Sequence, residues 1–427
     1  MEKLGVSSST IDHLSFSLTR RQLAPIIAGI TLGTGSHASV AQEPTPQASP
    51  EASPVPQPTA VPELTKIPEG SSYEITLGSE VEILQSVPGL SHFPDTHTSI
   101  LPLNEGAIAV YLSGAGFSYR LTGPDIFHLK PLQNEKGFAK PLLLPDYGAA
   151  FGKNYRGFGS VLPGRTPDER IGIFHAEEHI PSNAFFKASI GIALSKNNGY
   201  KWDNNNVIQI IRGRNEAQLQ EPAVSGAGQP SAVIIKGDQK DDQIYLYYID
   251  WSAGPGQYKP TGIHLAQAPL ADCTNPDAWE KHIDQDFKNG GLTGESTPVV
   301  LPPDPMGETG YAALPSVSFN EALNKYLMVF ETNIGFYYTD SSDGITWSEG
   351  KVLMPFTKCD DQGSCQPFRT QQRQSGDTWY SYPTLVTPHL RTDQTTWNTG
   401  MLLCSKGVEG DGIGHHMVGF AFEIKAK

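Results

Sequence analysis

The sequence predicts an all-β fold, a five-bladed β-propeller of four-stranded antiparallel blades. Three observations lead there. Short apolar runs rich in Tyr, Ile, Val and Phe recur along the chain, while long helical patterns with matched caps are hard to find. The 427 residues include 43 Gly and 34 Pro, which implies many turns, and the 38% hydrophobic content is ample for a sizeable core. The third observation is an internal repeat of about 73 residues.

A strand followed by a tight turn and an aromatic begins at Gly116 (GFSYRLTGPDIF), Gly191 (GIALSKNNGYKW), Gly262 (GIHLAQAPLADCTNPDAW) and Gly335 (GFYYTDSSDGITW), spaced 75, 71 and 73 residues apart. Before each lies one apolar strand (AIAVYLSG, IGIFHAEEH, IYLYYIDW, KYLMVFET), and before that another (THTSILPL, GFGSVLPG, GQPSAVII, ALPSVSFN). SYPTLVTP and GMLLCSKG make a fifth pair. Each unit reads as strands A, B, C and D of one small sheet, and residues 70–427 have room for five. Radial repetition protects sheet edges by closing a ring. The early strand YEITLGSEVEIL (Tyr73 to Leu84) is expected to complete the last blade. Strands A are expected near 97–103, 158–162, 229–235, 314–319 and 382–387. A pair of packed sheets or a solenoid fits less well, because the A–B–C–D order recurs with little drift.

The N-terminal region is set apart. Residues 1–41 read as an export signal of twin-arginine type: Arg20 and Arg21 precede a modestly apolar stretch from Ala24 to Gly35, and Ser39 and Ala41 offer a cleavage site. An ordinary secretory signal is the competing reading. Residues 42–69 form a Pro-rich linker that cannot bury a core and should act as an extended spacer. No second apolar stretch of spanning length occurs, so no integral membrane span is expected. A net charge of −14 supplies no basic footprint for nucleic acid or anionic lipid. No phosphate-binding glycine loop appears in a strand–helix setting, and no cofactor is expected. Cys273, Cys359, Cys365 and Cys404 lack the spacing of a metal site. Cys359 and Cys365 flank a short loop and are the favoured disulfide pair.

The turns SSDGITW and SKNNGYKW, together with GQPS opening a strand, resemble those of the five-bladed glycoside hydrolase superfamily, which includes invertase-like, levansucrase-like and arabinanase-like enzymes. The same turns resemble the Asp-box of sialidases. The resemblance covers 70–427 as architecture and implies a carbohydrate substrate. It implies a catalytic role for Asp95, which opens strand A of the first blade, and by a looser match for Asp250. The Arg-Asp-Pro, Glu-Cys and Asn-Asp-Pro-Asn motifs of those families are missing, so the choice between Glu177 and Glu178 stays open.

Propeller geometry sorts the remaining residues. Loops D–A and B–C share one mouth, and turns C–D lie on the opposite face. Asp343 and Asn197 in those turns should therefore bond local backbone donors, with Trp347 and Trp202 packing between blades. The mouth should collect Asp95, His97, Tyr155, Arg156, Gln229, Tyr311, Tyr380 and Tyr382 from the starts of strands A. The ends of strands B should add His175, Glu177, Glu178, His179, Asp250, Trp251 and Glu331. Glycoside hydrolysis needs two carboxyl groups, one protonated and one ionised. Asp95 is expected as base or nucleophile, Glu177 or Glu178 as a general acid of raised pKa, and Asp250 as the group that tunes it. His97, Tyr155, Arg156, His175, His179, Gln229, Trp251, Glu331 and Tyr382 are expected to bind substrate. Among these, Arg156 could clamp the carboxylate or sulfate of an acidic sugar. Alternation along the strand sends Glu177 inward, with His175 on the same side. His175, Glu177 and His179 could instead ligate a metal. A non-catalytic glycan-binding propeller and a surface interaction module are the other readings. A monomer is expected.

Overall fold

The computed structural model describes residues 66–179, 186–213, 225–237, 242–252, 262–303, 310–359, 365–367, 369–411 and 414–427. Residues 1–65, where the export signal and most of the linker are expected, lie outside the described residues.

Nearly all regular structure is β. After β1 (Tyr73–Leu84), a first sheet takes β2 (Ser99–Pro102), β3 (Ile108–Gly114), β4 (Phe117–Gly123) and β5 (Lys130–Pro131) in order. A second takes β6 (Tyr155–Pro163), β7 (Arg170–His179), β8 (Phe186–Ser195) and β9 (Ile208–Arg212). A third takes β10 (Ser225–Ile235), β11 (Gln243–Asp250), β12 (Ile263–Pro269), β13 (Glu280–Ile283) and β14 (Asp286–Gly290). These two are continuous only through a parallel bridge of Ser225 and Gly226 with Lys187 and Ala188. The fourth takes β15 (Ala312–Asn320), β16 (Lys325–Thr332), β17 (Gly335–Ser341) and β18 (Lys351–Pro355). A hairpin of β19 (Thr357–Cys359) and β20 (Cys365–Pro367) leads into the last part of the chain: β21 (Thr378–Val386), β22 (Thr395–Thr396), β23 (Thr399–Val408) and β24 (His415–Ala426). The last sheet runs β21-β23-β24-β1, so the N-terminal strand completes the C-terminal sheet, with Tyr73 opposite Ala426. The strands A expected from the repeat overlap β2, β6, β10, β15 and β21.

Hydroxyl groups stitch neighbouring inner strands together. Ser99 Oγ accepts from Val161 N at 3.0 Å, Ser160 Oγ from Ala232 N at 2.8 Å, and Ser231 Oγ from Val317 N at 3.1 Å. Thr384 Oγ1 accepts from Thr98 N at 3.1 Å, which ties the last sheet to the first. These are the Ser and Thr residues of the THTS, GFGS, GQPS and SYPT stretches. A short side chain that accepts from the neighbouring sheet's N–H satisfies a donor that the strand's own ladder leaves unpaired.

Five apolar clusters lie between successive sheets, each drawing residues from two. Leu101 and Tyr111 meet Phe158 and Phe174; Leu162 and Ile173 meet Ala232 and Leu246; Val233 and Ile249 meet Val317 and Phe330. Leu327 and Phe336 meet Leu385 and Leu402, and Ile100 and Val110 meet Val386 and Leu403. The C–D turns behave as expected. Asp343 Oδ1 accepts from Ile345 N (2.8 Å) and Thr346 N (2.7 Å), and Trp347 packs edge-on to Tyr247 of the preceding sheet. Asn197 Oδ1 accepts from Lys201 N, and Trp202 lies against Phe158 and Tyr111.

One feature had no counterpart in the repeat. The segment between β21 and β23 crosses the inner strands at the end away from Asp95. Asp393 Oδ1 accepts from Ile100 N (2.7 Å), Gln394 Nε2 donates to Ala232 O (3.0 Å), and Gln394 O accepts from Phe319 N (3.0 Å). Cys273 and Cys404 are free and buried. Cys359 and Cys365 are opposed backbone partners in the β19–β20 hairpin, while the side chains of their expected disulfide lie outside the described residues. Among the described residues no helix is long and apolar enough to cross a membrane.

Candidate functional site

The inner strands are interrupted at one height. Register shifts fall at Phe158/Ser160, Gly228/Ser231, Ala313/Ser316 and Ser381/Thr384. In the last three, a residue with left-handed φ precedes proline: Gln229 (55°), Leu314 (52°) and Tyr382 (57°). Such a bulge re-aims the side chains around it, and holding a non-glycine residue there stores about 1–3 kcal/mol. Strain of this kind repeated around the inner strands marks where residues are turned toward one another.

Asp95, almost fully buried, is held by two tyrosines, one of them the bulge residue Tyr382. Tyr155 Oη donates to its Oδ2 and Tyr382 Oη to its Oδ1, each at 2.9 Å, so sheets two and five meet on a residue that leads into sheet one. Burial and the adjacent Asp95 charge push both phenols well above their ordinary range. They therefore act as hydrogen-bond donors.

Glu177 is buried, and pairing places it opposite Tyr155, with Arg156 opposite Ala176. His175 Nε2 lies 3.1 Å from its Oε1 and His179 Nε2 2.6 Å from its Oε2. Burial opposes ionisation, but the hydrogen bonds and charges of the two histidines outweigh it and hold the carboxyl down at about 2. The raised pKa expected for a general acid is therefore corrected: two close donors favour the carboxylate. The metal arrangement is also not what forms. The two imidazoles point at different oxygens of Glu177, and among the described residues no group of three or more such side chains is set to hold an ion. Behind His175 stand Tyr155, Phe186 and Trp251, at ring separations of 5.3, 6.1 and 6.1 Å.

Glu331, at the end of β16, is the third buried carboxyl. Tyr311 Oη donates to Oε1 at 3.1 Å and Ser381 Oγ to Oε2 at 2.5 Å. Burial dominates and raises its pKa, against the hydrogen bond from Ser381 and the charge of Arg373. The three carboxyls belong together: the charges of Asp95, Glu331 and Glu177 all bear on the Tyr382 hydroxyl.

The other expected residues divide. Gln229 N approaches His175 Nδ1 at 3.4 Å, which places it beside this cluster. Asp250 is engaged in its own turn, accepting from Ser252 N at 2.9 Å and from the Ser252 hydroxyl. His97 lies deeper, with Nδ1 2.6 Å from Gly159 O and Nε2 3.7 Å from Asp393 Oδ2. Glu178 faces the other side of its sheet, into a cleft of about 150 Å³ shared with Lys187, Gln209 and Arg212. Arg156 is corrected. It is wholly buried, and its guanidinium donates to the carbonyls of Gly152, Leu144, Asn204 and Phe151, so no fork remains for an acidic sugar. Ser381 and Arg373 went unrecognised in the sequence. The SYP bulge was the available signal for Ser381, and a turn-rich stretch hid Arg373.

No protein-family model matches the chain, and no curated protein does. Among solved structures the chain is similar to a thermostable family-43 glycoside hydrolase (13% identity, 80% of this chain and 92% of that one, TM-score 0.44). It is also similar to the catalytic domain of a GH62 α-L-arabinofuranosidase of Coprinopsis cinerea (10% identity, 83% and 98%, TM-score 0.47). A third is a family 117 glycoside hydrolase produced by the marine bacterium Zobellia galactanivorans (11% identity, 83% and 90%, TM-score 0.45). Likeness of fold does not specify an activity, and the chemistry rests on the residues.

Proposed function

We propose that residues 70–427 form a closed five-bladed propeller, that the chain is exported and monomeric, and that it hydrolyses glycosidic bonds at the mouth holding Asp95, Glu177 and Glu331. The hydroxyl stitching, the five inter-sheet clusters and the β1–β24 pairing support the ring. The observation that carries the function is the convergence of three buried carboxyls on Tyr382, in two different states. Burial favours the protonated form of Glu331, which suits a general acid. Asp95 receives two phenol donors, as a carboxylate base or nucleophile would. Glu177 stays ionised between its histidines and is read as an electrostatic and positioning group in place of the acid first expected. Glu331 would protonate the leaving oxygen while Asp95 attacks the anomeric carbon or activates water. The Tyr155 and Trp251 rings suit sugar faces. No cofactor is needed for this division of labour.

One observation favours a binding-only mouth: both Asp95 oxygens already carry a tyrosine hydrogen bond. Incubation of the protein with a broad glycan panel separates the two readings, with product detection and direct binding run side by side. Turnover selects the hydrolase. Binding without product selects the glycan-binding propeller, and neither removes the carbohydrate reading.

A further inference from the structure

Arg373 is a cation at this mouth whose donors are not used. An arginine carries five N–H donors in a planar fork. Among the described residues the Arg373 side chain makes no hydrogen bond, and its Nε is buried without a partner. Its guanidinium sits over the Trp379 ring at 5.3 Å, close enough to Glu331 and Tyr311 for its charge to bear on both. Asp377 lies within reach of the Arg373 charge, but its direct ion pair is with Lys358 at 2.8 Å.

The position is built into the fold. The turn Thr370–Gln372 docks on the end of β16 through Thr370 N to Asn333 O (2.9 Å), and Arg373 N closes it onto Thr370 O (3.3 Å). From Arg373 a row of rings leads back to Asp95. Trp379 meets His415 at 5.2 Å, His415 stacks on Tyr382 at 6.2 Å, and Tyr382 bonds Asp95. Burial holds His415 down at about 3, so this imidazole adds no positive charge beside Arg373.

We propose that the mouth accepts a sugar bearing an oxyanion substituent, a uronate carboxylate or a sulfate ester, held by the Arg373 guanidinium next to Glu331. This rests on the carbohydrate reading and narrows its substrate class. The chain's net charge of −14 argues against anionic ligands in general. The buried carboxyl next to Arg373, however, is Glu331, whose burial favours the neutral acid. A planar fork bonds carboxylate or sulfate through two parallel hydrogen bonds.

The test is binding of wild type and Arg373→Gln to an array of uronate-bearing, sulfated and neutral oligosaccharides, with carboxyl-reduced and desulfated counterparts of each anionic member. Wild type should retain anionic members, and Arg373→Gln should weaken them about ten- to a hundredfold without changing neutral ones. Loss on carboxyl reduction identifies the uronate, and loss on desulfation the sulfate. Arg373→Lys keeps the charge and the stem and covers misfolding of the Gln variant: it should show a smaller loss, again confined to anionic members. Preference for neutral glycans, or equal anionic binding by wild type and Arg373→Gln, overturns the proposal and leaves the carbohydrate reading standing. If no glycan of any class binds or turns over, both fall.

Discussion

Tyr382 donates its phenol hydrogen to Asp95 Oδ1 at 2.9 Å, joining residues 287 positions apart in sequence. The tyrosine owes its aim to a left-handed backbone just before Pro383, and its hydroxyl lies where the charges of Asp95, Glu331 and Glu177 meet. Removing that hydroxyl leaves a buried carboxylate short of a donor. Tyr382→Phe should lower turnover or glycan affinity about tenfold or more, since a hydrogen bond to a charged group is worth about 1.5–3 kcal/mol. Rates and melting curves read together check this. Unchanged binding and turnover in a folded variant would make the contact ornamental.

Glu177 predicts an acid limb of stability. Its carboxyl sits at about 2 in the folded state against an ordinary 4.5. Over that interval the folded chain binds fewer protons than the unfolded one. The stabilisation is therefore complete above about pH 4.5 and is lost as pH falls toward 2. Thermal melts of wild type across this window should fall more steeply than those of Glu177→Gln, and parallel curves would contradict the assignment.

The β1–β24 pairing makes a prediction about length. Removing residues 1–65 should leave the melting temperature of the folded domain unchanged, because it keeps Ile67, whose N–H bonds Ala322 O and whose side chain packs on the cluster between the fourth and fifth sheets. Extending the deletion through Leu84 strips Tyr73 and Ile75 from the cluster between the fourth and fifth sheets, and Ile83 from the one between the fifth and first. Full burial of such side chains is worth about 1.5–3 kcal/mol each, comparable in sum to the whole stability of a domain. The longer deletion should not fold. A cooperative melt near the wild-type temperature would show that the last sheet does not depend on β1.

The proposed export rests on Arg20 and Arg21. Replacing both by Lys should trap precursor in the cytoplasm, read by fractionation and the size of the retained chain. Unchanged export would point to an ordinary secretory route or to no signal.

The inner strands were legible because the period survives in sequence: a Ser or Thr recurs where the stitching needs a hydroxyl, and a proline recurs beside the bulges at 229, 314 and 382. Alternation likewise puts Glu177 and Glu178 on opposite sides of their sheet: Glu177 is buried beside its two histidines, and Glu178 lines the cleft with Lys187 and Arg212. Partner identity was less accessible. Arg156 sits at a strand start like its neighbours, yet its four carbonyl acceptors come from loops and turns whose approach no periodicity encodes. The states of Glu177 and Glu331 could not be ranked for the same reason. One lies between histidines on its own strand, and the other meets a tyrosine just before β15 and a serine in β21. The segment at Asp393 and Gln394 belongs to no repeat and left no pattern to read.

The most direct measurement is the pH–rate profile of Glu331→Gln beside wild type, on whichever glycan the wild type cleaves. With Glu331 as the general acid, wild-type turnover should fall as pH rises through its raised pKa. The variant should lose roughly two to four powers of ten in rate, lack that alkaline limb and still bind the glycan. A variant that keeps wild-type turnover and the same alkaline limb would contradict the assignment of Glu331 and the chemistry built on it.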